Sequence, residues 1–381
     1  MLTVYITTGL LLLYGLLLCY YYSGWQQLPS FVFDAEEEKG FTPTLRFSII
    51  VPARNEAIRI GSCLLSLIEQ DYPAHLVEII VVNDDSTDNT EEMIKIFGFG
   101  RVRLINLRYG PGERVKAPKK RAIEAGIAAA TGDWIVTTDA DCVAGPQWIL
   151  QLAAYQQCYE PLFIAAPVKI VDFGNLLSKF QALDFLTMQG ITGASVFKRL
   201  HNMCNGANLA YDKKAFHEVN GFSGIDGIAS GDDMLLMHKI AKKHPRQTGF
   251  IKSRRAIMVT HPAASWREFF QQRIRWASKA THYKSPKLFL ALLLVYLTNL
   301  GILTTAVLAF FHPPAAWAFF SFWICKFLLE VVFVKEVAAF FSQQYLLPYL
   351  FLLQPLHITY IVVSGFFGQF KTYQWKGRKL K

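Results

Sequence analysis

Apolar residues crowd into the two ends of this chain, and that distribution limits its fold more than any other feature. Residues 1 to 22 are almost wholly apolar, and so is most of 288 to 370. Apolar runs of about 20 residues are the length a bilayer requires. At 52% hydrophobic and 14% aromatic, the 381-residue chain is richer in apolar residues than an ordinary soluble domain. The excess sits at the ends. Residues 43 to 287 have ordinary composition and are long enough for one domain with its own core. The expected architecture is a membrane protein with a single globular domain between membrane segments.

Charge follows the same division. The formal net charge is +10, but the basic residues cluster. Between Lys252 and Lys287 there are nine Lys or Arg and a single acid, Glu268; the tail from Lys371 to Lys381 holds five and no acid. The rest is slightly acidic, which argues against a nucleic-acid partner, since that needs a basic stripe on the domain itself. Basic residues beside apolar spans fit a cytoplasmic membrane face with anionic lipid. The six cysteines show no paired spacing, so neither a zinc site nor a disulfide framework is expected.

The first segment lacks the basic start and cleavage site of a secretory signal and reads as a retained anchor over 1–23. No Lys or Arg precedes it, whereas Lys39 and Arg46 follow it, which predicts a cytoplasmic domain. Three apolar stretches close the chain: Leu288 to Phe311, Ala315 to Val334 and Tyr345 to Phe367. His312-Pro313-Pro314 separates the first two; Lys335-Glu336 and Ser342 to Gln344 separate the last two. Lys326 and Glu330 stand four apart inside the second, where mutual pairing is expected. Pro348 and Pro355 leave open a re-entrant last segment.

In the domain, Arg46 to Pro52 and Val77 to Val82 read as buried strands. Arg101 to Asn106 reads as a third, and Trp134 to Thr138 as a fourth. Helical patterns lie between them, over Ile60 to Gln70, from Asp88 onward and over Pro118 to Ala130. This β-α-β-α-β-α-β order predicts a doubly wound parallel sheet with a nucleotide at its carboxyl edge. Polar loops leave the strands there: Ala53 to Ala57, Asn83 to Asp88, and Asp139-Ala140-Asp141. Asp139 and Asp141 suit a divalent cation carrying phosphates, or a loop that caps the next helix. Dinucleotide and P-loop glycine patterns are absent. Farther on, Asn202 to Asn208 is a polar glycine turn. Gly231-Asp232-Asp233 opens a helix, where acids are favoured by the dipole even without another task.

Ser265 to Glu268 forms a capping box for a helix over 265–286. One face collects Trp266, Phe269, Phe270, Arg273 and Ala277, and suits a membrane boundary. Another collects Glu268, Gln272, Arg275, Trp276 and Lys279. His261, just before, is a further metal or diphosphate candidate, or a histidine packed on Pro262.

Taken together, Ser48 to Glu56, Val82 to Asp88, Asp139-Ala140-Asp141, Gly231-Asp232-Asp233 and Gln272 to Trp276 resemble the family 2 glycosyltransferases. They look like the membrane branch with a D, DxD, (E/D)D, QxxRW set, which includes cellulose, chitin and hyaluronan synthases and ceramide glucosyltransferase. The resemblance implies an α/β GT-A fold, a Rossmann-like nucleotide-sugar domain over 43–264, with flanking transmembrane helices. The C-terminal membrane region would span 287–370 and a basic tail 371–381. It implies inverting transfer from a nucleotide sugar, most often a UDP-sugar. Asp84 would meet the uridine, with Pro52, Arg54 and Glu56 around the base. Asp139 and Asp141 would hold Mg²⁺ or Mn²⁺ on the diphosphate, and Asp233 would be the general base beside Asp232. Gln272, Arg275 and Trp276 would serve the diphosphate and acceptor. Two residues depart from the pattern: Asp85 stands where glycine is common, and Asp232 replaces the usual Glu.

The expected activity is transfer to a membrane lipid or lipid-linked glycan by a multi-pass membrane protein, in a bacterium at the inner membrane. A processive polysaccharide synthase shares the same motifs. A non-catalytic membrane scaffold on this fold would be favoured by loss of the base or metal carboxylates, which are present. Nucleotidyl transfer shares the metal chemistry but gives no reason for QxxRW.

Overall fold

Alternation of apolar strands with helices carries through the first half of the chain. The structure, a computed structural model, describes residues 1–34, 40–110, 116–228, 230–278 and 285–370, with the backbone of 373–375 and 378–380. Most of the acidic linker, Lys279 and the side chains of the basic tail lie outside the described residues. Helix α1 (Leu2–Gln27) is followed by β1 (Phe47–Ala53), α2 (Ile60–Ile68), β2 (Val77–Asp84), α3 (Thr90–Phe97), β3 (Val102–Leu107), α4 (Pro118–Ala129) and β4 (Trp134–Thr137). Next come α5 (Trp148–Tyr159), β5 (Phe163–Ala165), β6 (Val168–Ile170), α6 (Leu176–Lys198), β7 (Leu209–Asp212), α7 (Lys213–Glu218), α8 (Met234–Lys243), β8 (Thr248–Phe250) and β9 (Met258–Thr260). The remainder is mainly helical: α9 (Trp266–Ala277), α10 (Pro286–Leu308), α11 (Pro313–Phe341) and α12 (Leu347–Phe370).

Two compact units result. Pro29–Lys169 with Asn202–His261 makes an α/β unit; Met1–Leu28, Ile170–His201 and Pro262–Tyr373 make a helical one. The segment 170–201, expected inside the globular domain, therefore groups with the apolar helices.

The α/β unit is built on a seven-stranded sheet in the order β3-β2-β1-β4-β7-β5-β8. β1 is buried along nearly its whole length, as a central parallel strand must be. It pairs in parallel with β2, Val51 opposite Val81, and with β4, Ile50 opposite Thr137. The four strands read from the sequence, β1 to β4, pair in parallel as expected. The sheet they belong to is mixed, because β7 runs antiparallel between β4 and β5. The reversal brings the Asn205–Asn208 turn to the end of β4, where Thr137 Oγ1 donates to the Gly206 carbonyl at 3.4 Å. Asn208, wholly buried, ties that turn down. It accepts from Trp148 Nε1 at 2.8 Å and donates to the carbonyls of Pro167 and Ala256 at 2.8 and 2.9 Å.

In the helical unit, four helices are long and apolar enough to cross a membrane: Leu2–Gln27, Pro286–Leu308, Pro313–Phe341 and Gln344–Phe370. The shortest has 23 residues, about 35 Å of helix against a hydrocarbon core of about 30 Å. The proline pair starts α11 as expected, with Pro313 in its first turn. The expected break at Lys335-Glu336 is not one. Lys335 lies on the exposed side while Val334 and Val337 stay buried, so the helix tolerates the charges. It ends instead at Ser342, in a left-handed conformation. Pro355 lies inside α12 without ending it, so the last stretch is one continuous helix rather than a re-entrant pair. Close approach is permitted at Gly190 of α6, where a Cβ would come within 2.3 Å of a Val337 methyl on α11.

Helix α9 begins with the expected cap, Ser265 Oγ accepting from Glu268 N at 3.2 Å. The reciprocal bond is shifted by one residue, from Ala264 N to Glu268 at 3.1 Å. Of the face read from sequence as a membrane boundary, Phe269 and Arg273 are buried within the helical unit, whereas Trp266 is exposed and Phe270 and Ala277 are half-buried. Phe180 of α6 and Tyr360 of α12 pack edge-on against Phe269, with ring centres 5.4 Å away in both cases.

Candidate active site

The three strands β1, β2 and β4 run the same way, β1 and β2 ending with Ala53 opposite Asn83 and β4 ending at Thr137 opposite Ile50, so the loops after them leave the same edge of the sheet. The loop after β1 is knitted to the loop after β2. Arg54, 9% exposed, donates to the Asp84 carbonyl at 2.6 Å and to the Asp85 carbonyl. Asn55 N meets Ser86 Oγ at 3.1 Å, and Asn55 Oδ1 accepts from Thr87 N at 2.9 Å. Glu56 is buried, with its N–H on Thr90 Oγ1 at 2.8 Å. Pro52 stands half-buried at the end of β1, opposite Val82.

Asp85 explains the place where glycine is common. Its φ is +54°, a left-handed conformation that Asp tolerates better than most residues with a Cβ. Asp88 receives the Thr90 N–H at 3.1 Å and the Ala57 N–H at 3.2 Å. Burial alone would raise its pKa; these bonds and the Thr90 hydroxyl outweigh burial and hold it below the usual value. Asp84 is almost wholly buried and accepts from the Tyr109 hydroxyl at 2.5 Å. The Arg121 guanidinium lies 4.9 Å from the centre of the Tyr109 ring.

Asp139 and Asp141 follow β4. Lys119, from the first turn of α4, donates to Asp139 Oδ1 at 2.6 Å and reaches Asp232 Oδ2 at 3.2 Å. Burial opposes the lysine charge, but Asp139, Asp232 and Asp233 together raise its pKa above the usual value. Arg59 stands 3.8 Å from Asp141 Oδ2. His261 Nδ1 lies 3.2 Å from the Asp141 carbonyl, so the ring contacts the backbone of this loop through that nitrogen.

Asp233 is the N-cap of α8, accepting from Met234 N at 2.7 Å and from Gly206 N at 3.3 Å. Gly206 leaves room here: a Cβ would lie 3.1 Å from both Asp232 Oδ2 and Lys119 Nζ, so either side chain would have to shift slightly to admit one. Asp139, Lys119, Asp232, Asp233 and Gly206 thus form one cluster. Gln272, Arg275 and Trp276, by contrast, belong to α9 of the helical unit, each half-buried.

Asp139, Asp141 and Cys142 bring their ligand atoms within 4.8 Å of one another. Burial, then Asp141 and Asp139, pushes the Cys142 thiol up, and Cys63 likewise. Asp139 and Asp141 offer two hard carboxylates, which fit Mg²⁺ or Mn²⁺.

Sequence reading missed Lys119, Tyr109, Arg59 and Gly206. The signal available for the first was the doublet Lys119-Lys120 at a helix start. The two side chains diverge about 100° around the helix. Lys120 turns inward and donates to the carbonyls of Ile225, Ile228 and Ser230 at 2.6, 2.8 and 3.0 Å. It thereby holds the segment that delivers Gly231-Asp232-Asp233. Lys120→Met strands those carbonyls and is expected to cost about 3 kcal/mol. In thermal unfolding of the solubilised protein the midpoint should fall by roughly 5–10 °C; an unchanged midpoint would exclude this bracing.

The model of the family described as Glycosyl transferase family 2 matches residues 48–219, and that of Glycosyl transferase family group 2 matches 134–366. The chain is 24% identical over 237 residues to the probable glycosyltransferase YdaM of Bacillus subtilis, covering 61% of this chain and 54% of that protein. It is 30% identical over 207 residues to the 4,4′-diaponeurosporenoate glycosyltransferase of Staphylococcus haemolyticus, covering 50% and 53%. The chain thus spans about half the length of these curated relatives. Its fold is that of the mannosyltransferase PcManGT from Pyrobaculum calidifontis, solved with GDP-Man and Mn²⁺. The TM-score is 0.59 at 21% identity, covering 93% of this chain and 98% of the other.

Proposed function

The chain belongs to the family 2 glycosyltransferases, and from that premise we propose that it moves a sugar from a nucleotide-sugar donor to a membrane lipid or lipid-linked glycan, with inversion. The observation that carries this reading is the Lys119 ammonium bridging Asp139 and Asp232, beside Asp233, at the carboxyl edge of the sheet. An anionic diphosphate and a sugar need that combination: a cation for the leaving group and a carboxylate for the incoming hydroxyl.

The roles are those the resemblance implies, and the placement of the side chains supports them. Asp84, with Tyr109 and Arg121, meets the nucleobase side of the donor, the Pro52–Glu56 loop being fixed beside it by Arg54. Asp139 and Asp141 hold Mg²⁺ or Mn²⁺, which when bound offsets charge on the diphosphate. Asp233 accepts the acceptor hydroxyl's proton as the new bond to the anomeric carbon forms and the bond to the diphosphate breaks. Asp232 holds Lys119 in place. Gln272, Arg275 and Trp276 are assigned to the diphosphate and acceptor on the resemblance alone. The four apolar helices among the described residues support a membrane-resident acceptor and a multi-pass protein; Lys39 and Arg46 after the first of them, and the basic residues between Lys252 and Lys287, favour an α/β unit in the cytoplasm, at the inner membrane in a bacterium.

Membranes carrying the chain are incubated with labelled UDP-glucose, UDP-N-acetylglucosamine and GDP-mannose, and the product is split into organic-extractable and polymeric fractions. Label is expected in the organic fraction with one donor. Label only in polymer would replace single transfer by processive synthesis, and no incorporation with any donor, where the folded chain is present, would count against the activity.

A further inference from the structure

The QxxRW helix carries an arginine whose position gives it a task of its own. Arg273 is 3% exposed and lies between α9 and the interior of the helical unit. Its guanidinium has four partners among the described residues, one of them the Phe269 ring at 4.8 Å. Nη2 donates to Asp184 Oδ2 of α6 at 2.7 Å, Nη1 donates to Gln272 Oε1 at 3.1 Å, and the group stacks on the Trp276 ring at 4.2 Å. One buried fork thus touches two of the motif's side chains and an anchor on another helix.

The anchor is itself fixed. Tyr360 of α12 donates its hydroxyl to Asp184 Oδ1, and His357 Nε2 of the same helix stands 3.9 Å from that oxygen. The other nitrogen of His357 is 3.3 Å from Lys326 of α11. Lys326 bonds to Glu330 at 2.5 Å and to Gln354 at 2.7 Å, and Tyr14 of α1 donates to Glu330 at 2.5 Å. A chain of polar groups therefore runs from α1 through α11, α12 and α6 to α9. Apolar side chains would fill such a space at least as stably, since burying ion pairs costs desolvation that attraction barely offsets. Among helices that pack without a hydrophobic drive, directional contacts instead fix rotation and register.

We infer that Arg273 is a positioning residue, set by Asp184 and the chain of polar groups behind it, which orients Gln272 and Trp276 for sugar transfer. This rests on the proposed role of the QxxRW residues. Lysine at 273 can keep one partner, Asp184, but cannot reproduce the planar fork that also holds Gln272 and stacks on Trp276.

The test uses the full chain in lipid–detergent micelles: Arg273→Lys, Arg273→Ala, Gln272→Ala, Trp276→Phe and the double variant Arg273→Ala/Gln272→Ala. Turnover is read as nucleoside diphosphate release from the three nucleotide sugars above, alongside thermal melting. Arg273→Lys is expected to melt with the parent, yet lose about tenfold in kcat with donor KM little changed. The double variant is expected to be no slower than the slower single one, because the two residues act as a unit. Full kcat in Arg273→Lys, or losses that multiply in the double variant, would overturn the inference. Full kcat in Gln272→Ala and Trp276→Phe would instead overturn the role of the motif. A second reading needs neither turnover nor Arg273→Ala to fold: the emission of Trp276, taken as the difference from each protein's Trp276→Phe partner. It is expected to shift in Arg273→Lys, and an unchanged difference spectrum counts against the positioning role.

Discussion

Replacing Asp233 with asparagine is expected to lower sugar transfer by roughly 10²–10⁴-fold, the range a general base contributes, while leaving the fold intact. The separation is possible because of where Asp233 sits. It caps α8 through Met234 N at 2.7 Å and accepts from Gly206 N at 3.3 Å. Asparagine caps helices about as well as aspartate, and its carbonyl oxygen can keep either bond. What it cannot do is take a proton from a hydroxyl. The melting midpoint should therefore stay within about 2 °C of the parent while turnover collapses. Asp232→Asn makes the contrast. That carboxylate is buried against Lys119 at 3.2 Å, so its loss should disturb the lysine and the donor KM as well as kcat. If Asp233→Asn retained full turnover and Asp232→Asn did not, the base would be Asp232.

The strands and their terminal carboxylates were legible because each is an apolar run ending abruptly in polar residues. Val77 to Asp84 and Trp134 to Asp139 carry that boundary in the sequence itself. Lys119 was not legible. It stands 20 residues before Asp139, and only the packing of α4 against β1 and β2 brings its amine to that carboxylate. Nothing local distinguishes it from Lys120, which faces the other way and braces backbone. The antiparallel β7 escaped for a related reason. Four residues, Leu209–Asp212, show no period that tells direction, and direction decides where the Gly206 turn lies. In the helical unit, length and composition gave the spans. The burial of Arg273 was hidden because an arginine on an aromatic helix face reads equally well as a membrane-surface residue. Asp85 was flagged only by the resemblance, as a departure from a place where glycine is common, and the fold has a positive φ there, +54°.

Removal of divalent metal is expected to stop transfer, and Lys119 would compete with a metal held by Asp139 and Asp141. The Asp139 and Asp141 carboxylates already face two cations, Lys119 at 2.6 Å and Arg59 at 3.8 Å. Asp139 and Asp141 would hold a divalent ion through oxygens that Lys119 also uses, and a divalent and a unit charge about 4 Å apart repel by about 8 kcal/mol at an effective dielectric of 20. The lysine must therefore give up Asp139 and turn toward negative charge elsewhere, which the donor diphosphate supplies. Metal and donor should bind cooperatively for this reason, the donor compensating the displaced ammonium. Lys119→Met then has opposite effects on two measurements. Without donor, Mn²⁺ affinity, followed by the electron paramagnetic resonance signal of the free ion, should rise by roughly tenfold as the competitor is removed. Transfer should fall by about 10²-fold or more, because the leaving diphosphate loses a preorganised cation. Chelation by EDTA should abolish turnover in the parent, with recovery on adding Mn²⁺ or Mg²⁺. If Lys119→Met bound Mn²⁺ no more tightly than the parent, the lysine would not be the metal's rival. Its place beside Asp232 would then be the whole of its role.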